Sequence, residues 1–412
     1  MNIYSENGYR NYDKDACKLL MYGLMFSIMD QVIEGIFNKI GIFTSGISIL
    51  TYGISIACIL LCIFKYRGKI LLKFTLSYVS IILFFVINYS IFKNTQIYYL
   101  EYWLKLRRML IIYIPIAILV SYITDYSYFF KDINGLTRIS LLIIILSIIL
   151  GFIDYREYMV FSLYFLPIPI LLYFNFSAKK SIVDLIFFML SLGIMILYGG
   201  RSSLLSIFLF IILLSILKLI YKNKIKATIY VTFIISLLII ISFFRNQIIS
   251  LLIYILDVFN INSRNIEVIL QGNFLNFDTR EYIFKCAINE IMNLNWYDIN
   301  GIFGDRQLLR NYASWITYSH NIIFEIILSF GYIIGGILIL SFCTKVVKIM
   351  LSKDIYKQIV VIMFICIAMT RLFVSGSFII EEYFYLMLGV LWKKSNFYTV
   401  NKNNNLIKTK IN

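Results

Sequence analysis

His320 is the only histidine among the 412 residues, and it stands where a polar stretch meets an apolar one. It belongs to the run SHNIIFE (319–325), which leads into Gly331 and Gly335. An imidazole exchanges protons near neutral pH, so a histidine at such a boundary is a candidate acid or base. The alternative interpretation is a boundary histidine whose ring only satisfies a structural hydrogen bond.

Two arginines, Arg201 and Arg280, each stand in the first turn of a predicted helix. The helix dipole disfavours a cation at this position by about 0.3–1 kcal/mol. Two such placements suggest that an anion binds there, because arginine at a helix N-terminus suits phosphate or diphosphate. The alternative is a pair of ordinary arginines whose charged heads reach the membrane interface. Arg201, Arg280 and His320 are therefore considered together as one candidate catalytic set.

The residues around Arg280 and His320 carry helix-start signals. Asp278 is predicted to cap the helix of Arg280, with Glu281 completing a capping box. Ser319 is predicted to cap the apolar helix that His320 opens. Apolar residues of the Arg280 helix are expected on or near one face, as in a helix resting on a membrane: Ile283, Ala287, Ile288 and Ile291.

The composition indicates an all-α integral membrane protein. Hydrophobic residues make up 60% of the chain, charged residues only 15%, and the mean hydropathy is +0.83, which excludes an ordinary soluble domain. We expect residues 1–412 to form one integral membrane domain. The net charge of +16 is dispersed between apolar runs, so it predicts topology and no nucleic-acid partner. The six cysteines have no metal-ligand spacing, and no metal or cofactor is expected.

Repeated apolar runs near the ~20-residue spanning length predict about twelve membrane spans. Their approximate bounds are 19–38, 42–64, 70–92, 109–124, 138–153, 158–176, 181–198, 203–221, 227–244, 321–343, 357–374 and 378–392. With both termini inside, the inner gaps receive most of the lysines. The segment 93–108, rich in Tyr and Trp, is expected at the outer interface. Residues 245–319 then form one large outer loop containing helices, which is too long to be a simple connector.

Further ionisable residues lie in or beside the predicted spans. Arg371 stands near the outer end of one span, and Glu381 and Glu382 begin the last. Asp30 and Glu34 are one turn apart in the first span. Such groups usually pair, so Arg371 is expected to meet a carboxylate, and a phosphate contact remains the alternative.

Three stretches together resemble the Wzy/WaaL superfamily of bacterial O-antigen polymerases and ligases. Gly200-Arg201-Ser202-Ser203 resembles its arginine-bearing turn. The family's arginine helix is similar to Thr279-Arg280-Glu281-Tyr282. Its glycine pair is similar to the stretch that follows, Asn300-Gly301-Ile302-Phe303-Gly304. His320-Asn321 with Phe324, Gly331 and Gly335 resembles its His-Asn opening of the next span. The resemblance covers about residues 180–345.

The resemblance implies a metal-independent membrane glycosyltransferase of the GT-C-like kind. Its donor would be a glycan on undecaprenyl diphosphate. Within the superfamily polymerases are more numerous and more divergent than ligases, so the expected acceptor is another lipid-linked repeat unit. Arg201 and Arg280 would bind and stabilise the departing diphosphate, and His320 would take the proton of the attacking hydroxyl. Asn321 would orient the histidine or bind a sugar hydroxyl. Arg371 is a further substrate-binding candidate, from its charge in a span and not from the resemblance. The resemblance further implies a place in the bacterial inner membrane with the site facing outwards. A chain-length regulator and a flippase of the same pathway are possible partners.

Three other functions stay open at this point. An O-antigen ligase would use the same residues and differ in its acceptor, the lipid A core. A polysaccharide flippase or other transporter belongs to a different class, and the proline-broken span at 161–169 is compatible with it. A non-catalytic subunit of an envelope complex would tolerate replacement of Arg201, Arg280 or His320.

Overall fold

The computed structural model describes most of the chain outside the first part of the large loop. The described ranges are 6–41, 44–65, 69–131, 133–152, 158–198, 200–222, 278–374 and 376–392, with single positions between 225 and 250. Every regular element in these ranges is a helix, so the all-α prediction is confirmed for them. Isoleucine and aromatic residues favour strands in water. Within a bilayer, however, only a helix satisfies the backbone groups of a single apolar segment.

The helices are connected mostly by short turns. In the first half they are Glu6–Ile40, Thr44–Lys65, Lys69–Ile91, Gln96–Glu101, Trp103–Arg108, Ile114–Val120, Ser127–Lys131, Ile133–Ile149, Tyr158–Phe165, Pro167–Lys179, Ile182–Tyr198 and Arg201–Lys222. In the second half they are Asp278–Asn293, Gly304–Arg310, Ile322–Met350, Ile355–Phe364, Thr370–Val374 and Glu382–Leu391. A 3₁₀ turn at Lys93–Thr95 and π-helical turns at Met109–Tyr113 and Ile365–Met369 join neighbouring helices.

Five helices of the described part are long and apolar enough to cross a membrane, or six if the bent pair Asn11–Phe26 and Ile28–Phe37 forms one span. The five are Leu71–Ile91, Phe161–Lys179, Ser202–Tyr221, Ile322–Met350 and Ile355–Phe373. Four predicted spans correspond to shorter apolar helices: Thr51–Lys65, Gly135–Ile149, Ile182–Tyr198 and Glu382–Leu391. The predicted span 227–244 lies outside the described residues. A helical membrane protein is thus supported, and the count of about twelve spans stays a prediction.

The predicted span 109–124 has an unusual form. It consists of the π-helical turn Met109–Tyr113 and the helix Ile114–Val120, and side chains along both are buried inside the protein. Tyr113, Ile116 and Leu119 are fully buried in the main core. A segment enclosed by other helices meets little lipid, so its length is set by packing more than by bilayer thickness.

Two groups of polar contacts between distant segments lie at the two ends of the helix bundle. At the first end, Lys65 pairs with Asp15, Lys218 donates to Ser177 Oγ at 2.7 Å, and the Tyr221 hydroxyl lies 3.0 Å from Gln358 Oε1. These are the gaps in which the sequence concentrates lysine. The contact segments are therefore those predicted to face the cytoplasm.

At the second end, the large loop meets the segment 93–108 and the turn 376–381. Arg310 donates to both carboxylate oxygens of Glu101, at 2.8 and 2.9 Å. Arg306 donates to Ser377 Oγ at 2.9 Å. All of these positions were predicted on the outer side. The structure therefore gathers the predicted outer segments at one end of the bundle.

The helix Ile322–Met350 is sharply broken at Gly331, where φ is +73°. A Cβ at this position would lie 2.2 Å from the carbonyl oxygen of Asp298. After the break the chain folds back, because a Cβ at Gly335 would be 3.1 Å from the carbonyl oxygen of Ile326. The predicted span 321–343 is thus present as a helix that is broken at Gly331. A short arm, Ile322–Phe330, precedes a longer helix, 332–350, that can span by itself.

Replacing Gly331 with alanine is expected to destabilise the protein, because an L-residue is strained at this φ and its Cβ would collide with Asp298. Left-handed strain costs about 1–3 kcal/mol before the collision is counted. Gly336→Ala is the matched control, since a Cβ there meets nothing within 4 Å. The thermal unfolding midpoint in detergent should fall for Gly331→Ala and hold or rise for Gly336→Ala. Equal midpoints for the two variants would contradict the break.

Candidate active site

The helix of Arg280, Asp278–Asn293, packs on the rest of the large loop. Its buried residues Ile283, Cys286 and Ala287 form a small core with Leu309, Ile316 and Leu328. The rings of Phe284 and Phe324 meet edge to face, 5.7 Å between centroids. Ile288 on the other side is exposed. The expected membrane-resting face is therefore wrong: this face is covered by the protein and fixes the Arg280 helix beside the short arm.

The capping box predicted at the start of that helix stays a prediction. The side chain of Asp278 lies outside the described residues. Glu281 pairs with Lys285 one turn later, at 2.7 Å, and both side chains are exposed. An exposed pair of this kind contributes little to stability, because water and salt screen it. Arg280 itself is half-buried, with its backbone in the first helical turn as predicted.

The glycine-bearing stretch 300–304 attaches the loop to the helix bundle. Gly301 has φ +77°, and a Cβ there would lie 2.4 Å from the ring of Phe92. The backbone N–H of Ile302 donates to Asn88 Oδ1 at 2.7 Å. Phe303 is fully buried and meets the ring of Tyr99 edge to face at 5.1 Å. Only a residue without a side chain allows this close approach at 301.

A buried charge network lies where the large loop meets the helix bundle. Arg306 is fully buried and contacts Asp305 at 3.2 Å and Glu325 at 3.5 Å. Glu325 accepts hydrogen bonds from the Ser377 hydroxyl and from the backbone N–H of Phe378. The Arg306 guanidinium also lies over the ring of Tyr102, 4.7 Å from its centroid. The network joins the loop, the short arm and the turn before the last helix.

His320 is held on both sides by polar contacts of its neighbours. The backbone N–H of Ser319 donates to Asp305 Oδ2 at 3.1 Å. The side chain of Asn321 caps the short arm by accepting from the N–H groups of Ile323 and Phe324. The cap is thus Asn321 and not Ser319, whose hydroxyl donates to the Asn321 carbonyl at 3.2 Å. His320 therefore precedes the helix, in a left-handed conformation with φ +55°.

The His320 ring is neutral and has a free nitrogen. Its Nδ1 atom is buried and has no hydrogen-bond partner among the described residues. Burial, with a smaller effect of the Arg280 charge, lowers the pKa of His320 to about 4. The effect of Arg280 also shows that the two side chains are within electrostatic range. The ring of Tyr318 lies 4.1 Å from that of His320. The imidazole is therefore a neutral acceptor at pH 7.

The single histidine makes this state directly measurable. Protein labelled with ring-¹³C histidine and purified on a histidine-free tag should give one imidazole signal, which should titrate near pH 4. An unperturbed histidine titrates near 6.5. Arg280→Gln should raise the midpoint, because it removes a cation that opposes protonation. Between pH 6.5 and 4 the unfolded chain binds the proton more readily, so His320 should lower stability as pH falls through this window. A wild-type midpoint at 6.5 would contradict the burial.

The structure also locates Arg371 and the helix that begins at Arg201. Arg371 pairs with Glu381 at 2.7 Å, which confirms the expected carboxylate partner. The helix Arg201–Lys222 packs against 355–374 with its Lys222 end near Gln358, so its N-terminus lies at the same end as Arg371. The side chain of Arg201 lies outside the described residues. In the first helix, buried Asp30 pairs with Arg108, which also contacts Glu382.

A cavity of about 250 Å³ opens between the segment 93–108, the residues before His320 and the turn 376–381. Its lining combines aromatic, cationic and acidic side chains: Tyr102, Lys105, Thr317, Tyr318, Arg371, Gly376, Ser377, Ile380 and Glu381. Tyr318 is shared between the cavity and the His320 ring contact. Among the described residues, no three His, Cys, Asp or Glu side chains are grouped to hold a metal ion.

No family model, no curated protein and no solved structure matches the chain. The site is therefore interpreted from its own geometry. Sequence reasoning had singled out His320, Arg280 and Arg371, and the structure brings them to one end of the bundle. It had not singled out Lys105, Tyr318 or the pairing of Arg306 with Glu325. These residues could have been noticed only as charged and aromatic residues within segments that were expected at the outer interface.

Proposed function

We propose that this protein is a Wzy-type polymerase of a surface polysaccharide. It transfers a glycan from undecaprenyl diphosphate onto a sugar hydroxyl of another lipid-linked repeat unit. We further propose about twelve spans in a GT-C-like arrangement in the bacterial inner membrane, with the site facing outwards. The arrangement of His320 beside Arg280 and a cation-lined cavity supports this function best.

The observation that carries the proposal is the neutral His320 ring with its free Nδ1 atom. A sugar hydroxyl is a weak nucleophile until a base accepts its proton, and a positioned base typically contributes ~10²–10⁴-fold. In the proposed step the hydroxyl oxygen bonds to the anomeric carbon of the donor. The bond from that carbon to the diphosphate oxygen breaks, and His320 accepts the proton. Undecaprenyl diphosphate leaves with the bonding electrons.

The cations beside His320 would serve the leaving group. Negative charge builds on the diphosphate as its bond to the sugar breaks, and fixed cations stabilise that charge most effectively where water is excluded. Arg280 lies within electrostatic range of His320. The N-terminus of helix Arg201–Lys222 points towards the same end and adds its positive dipole. Two cationic sites at the same end of the bundle as one base would suit a diphosphate.

The distribution of charge supports the proposed sidedness. The end opposite to His320 carries Lys65, Lys218 and Lys357 in contacts between segments. Positive residues concentrate on the cytoplasmic side of membrane proteins. His320 and its loop would then face outwards, where lipid-linked repeat units are displayed.

Glycan display in a knockout strain tests the proposal. The strain is complemented with wild type, Arg280→Ala, Arg201→Ala or His320→Ala at matched membrane levels, and Arg310→Ala is a control from the same loop. Long polymer with wild type and the control, but single repeat units with the three variants, is the expected result. Polymer left on the lipid carrier would indicate a ligase instead. Normal glycan from all variants would overturn the catalytic role and favour transport or assembly.

A further inference from the structure

The cavity beside His320 is built from two kinds of surface. Tyr102 and Tyr318 supply aromatic walls, while Lys105, Arg371 and Glu381 supply charge. Aromatic faces combined with charged hydrogen-bonding groups are suited to a sugar ring, which has apolar C–H faces and polar edges. The volume of about 250 Å³ suits one hexose ring. A single sugar residue is therefore the natural size of ligand.

Two buried atoms of the cavity residues have no partner among the described residues. Arg371 contacts Glu381 through Nη1, and its Nε has no acceptor. Glu381 accepts through Oε2, and its Oε1 has no donor although the residue is only 2% exposed. A buried polar atom without a partner costs about 1–3 kcal/mol. A ligand that offers a donor to Glu381 and an acceptor to Arg371 would satisfy both.

Lys105 adds a positive charge to the cavity, and Glu382 and Glu381 offset it only from beyond ion-pair distance. It lies at the cavity and forms no ion pair within the described residues. Arg371 and Glu381 compensate one another, so the lining carries one positive charge in excess. The excess favours a ligand with one negative charge.

We propose that this cavity is the acceptor subsite and that it binds a sugar carrying a carboxylate, a hexuronate-type residue. This inference rests on the proposed polymerase function, since it names the substrate class of that site. The carboxylate meets Lys105, a ring hydroxyl donates to Glu381 Oε1, and the sugar ring lies against the cavity sides of Tyr102 and Tyr318. Tyr318 also contacts His320, so the bound sugar is next to the base that activates it.

The unpartnered Glu381 oxygen distinguishes a sugar acid from a bare phosphate. A phosphate carries its negative charge on the same small group that would have to approach Glu381, so the carboxylate repels it. A uronate separates its carboxylate from several hydroxyl donors and can satisfy both groups at once. The lipid-linked diphosphate is accordingly assigned to the side of His320 where Arg280 lies, and the sugar of the acceptor is assigned to the cavity.

Binding of small probes to the purified full-length protein tests this assignment. Saturation-transfer NMR is measured with methyl β-glucuronide, methyl β-glucoside and inorganic phosphate. We expect the glucuronide to bind about tenfold more tightly than the glucoside, the size of one charged hydrogen bond. Lys105→Gln should remove that preference and Lys105→Arg should keep it. Lys93→Gln, in the same segment but outside the cavity, should leave it unchanged.

Three results would overturn the acceptor assignment. They are equal binding of the two sugars, a preference that survives Lys105→Gln, and displacement of the glucuronide by phosphate at equal concentration. The binding assay needs no turnover, so it separates this inference from the polymerase proposal. If Arg280→Ala loses polymer but the wild-type protein shows no preference for the glucuronide, the polymerase proposal stands and the subsite is ruled out. If glucuronide binding depends on Lys105 but Arg280→Ala makes normal glycan, the sugar-acid subsite stands and the catalytic role of Arg280 is ruled out.

Discussion

His320→Asn is expected to reduce polymerisation by roughly 10²–10⁴-fold while the protein stays folded, because a general base typically contributes that factor. Asparagine tolerates the left-handed backbone of His320 (φ +55°) and hydrogen-bonds, but it does not accept a proton at neutral pH. The variant therefore separates the geometry of the position from its proton chemistry. The measurement is the length of the glycan on the lipid carrier, with each variant present in the membrane at the same level.

His320→Ala serves as the second variant of this test. It loses both the hydrogen bond and the base, and it adds backbone strain at a left-handed position. If His320 only positions a substrate, asparagine should restore most of the activity that alanine loses. If His320 is the base, both variants should be equally inactive. Wild-type polymer from His320→Asn would contradict the base role directly.

Arg306→Met is expected to destabilise the protein by about 3–5 kcal/mol, the usual cost of breaking a buried ion pair from one side. Methionine keeps the length of the side chain but leaves the buried carboxylates of Asp305 and Glu325 without their cation. Burial already raises the pKa of Asp305, and Arg306 is a main opposing influence. The thermal unfolding midpoint in detergent and the level in membranes should both fall.

Two further variants make the interpretation specific. Arg310→Met removes the exposed pair with Glu101 and should cost no more than about 1 kcal/mol. The double variant Arg306→Met with Glu325→Met removes a cation and a buried anion together and should recover part of the loss. An Arg306→Met protein as stable as Arg310→Met would show that the network does not hold the loop to the bundle.

The sequence predicted structure correctly where a residue type has a single physical consequence for the chain around it. Apolar runs predicted helices, and lysine-bearing gaps predicted which segments share an end of the bundle. The same logic placed Arg371 beside a carboxylate, because a cation in an apolar segment needs a partner. His320 and Arg280 came from helix-start positions, and the Arg280 charge acts on the pKa of His320. These signals are local, so the chain around each residue was sufficient.

Features that depend on contacts between distant residues could not be predicted in this way. The break at Gly331 depends on the carbonyl oxygen of Asp298. Asn321 rather than Ser319 caps the short arm because Asp305 holds the Ser319 backbone. Arg306 resembles any other loop arginine until Glu325 is placed beside it. The same limit applies to Lys105, whose place at the cavity follows from how the 93–108 segment packs on the loop.

The most direct test of the central claim is polymerisation by the purified protein in liposomes. The only substrate added is a lipid-linked repeat unit on undecaprenyl diphosphate, and products are separated by chain length with the released lipid diphosphate measured alongside. The account predicts lipid-linked polymer with one undecaprenyl diphosphate released for each repeat joined, and neither product with His320→Asn or Arg280→Ala. Absence of polymer from a folded wild-type protein, or equal polymer from the wild type and both variants, would contradict it.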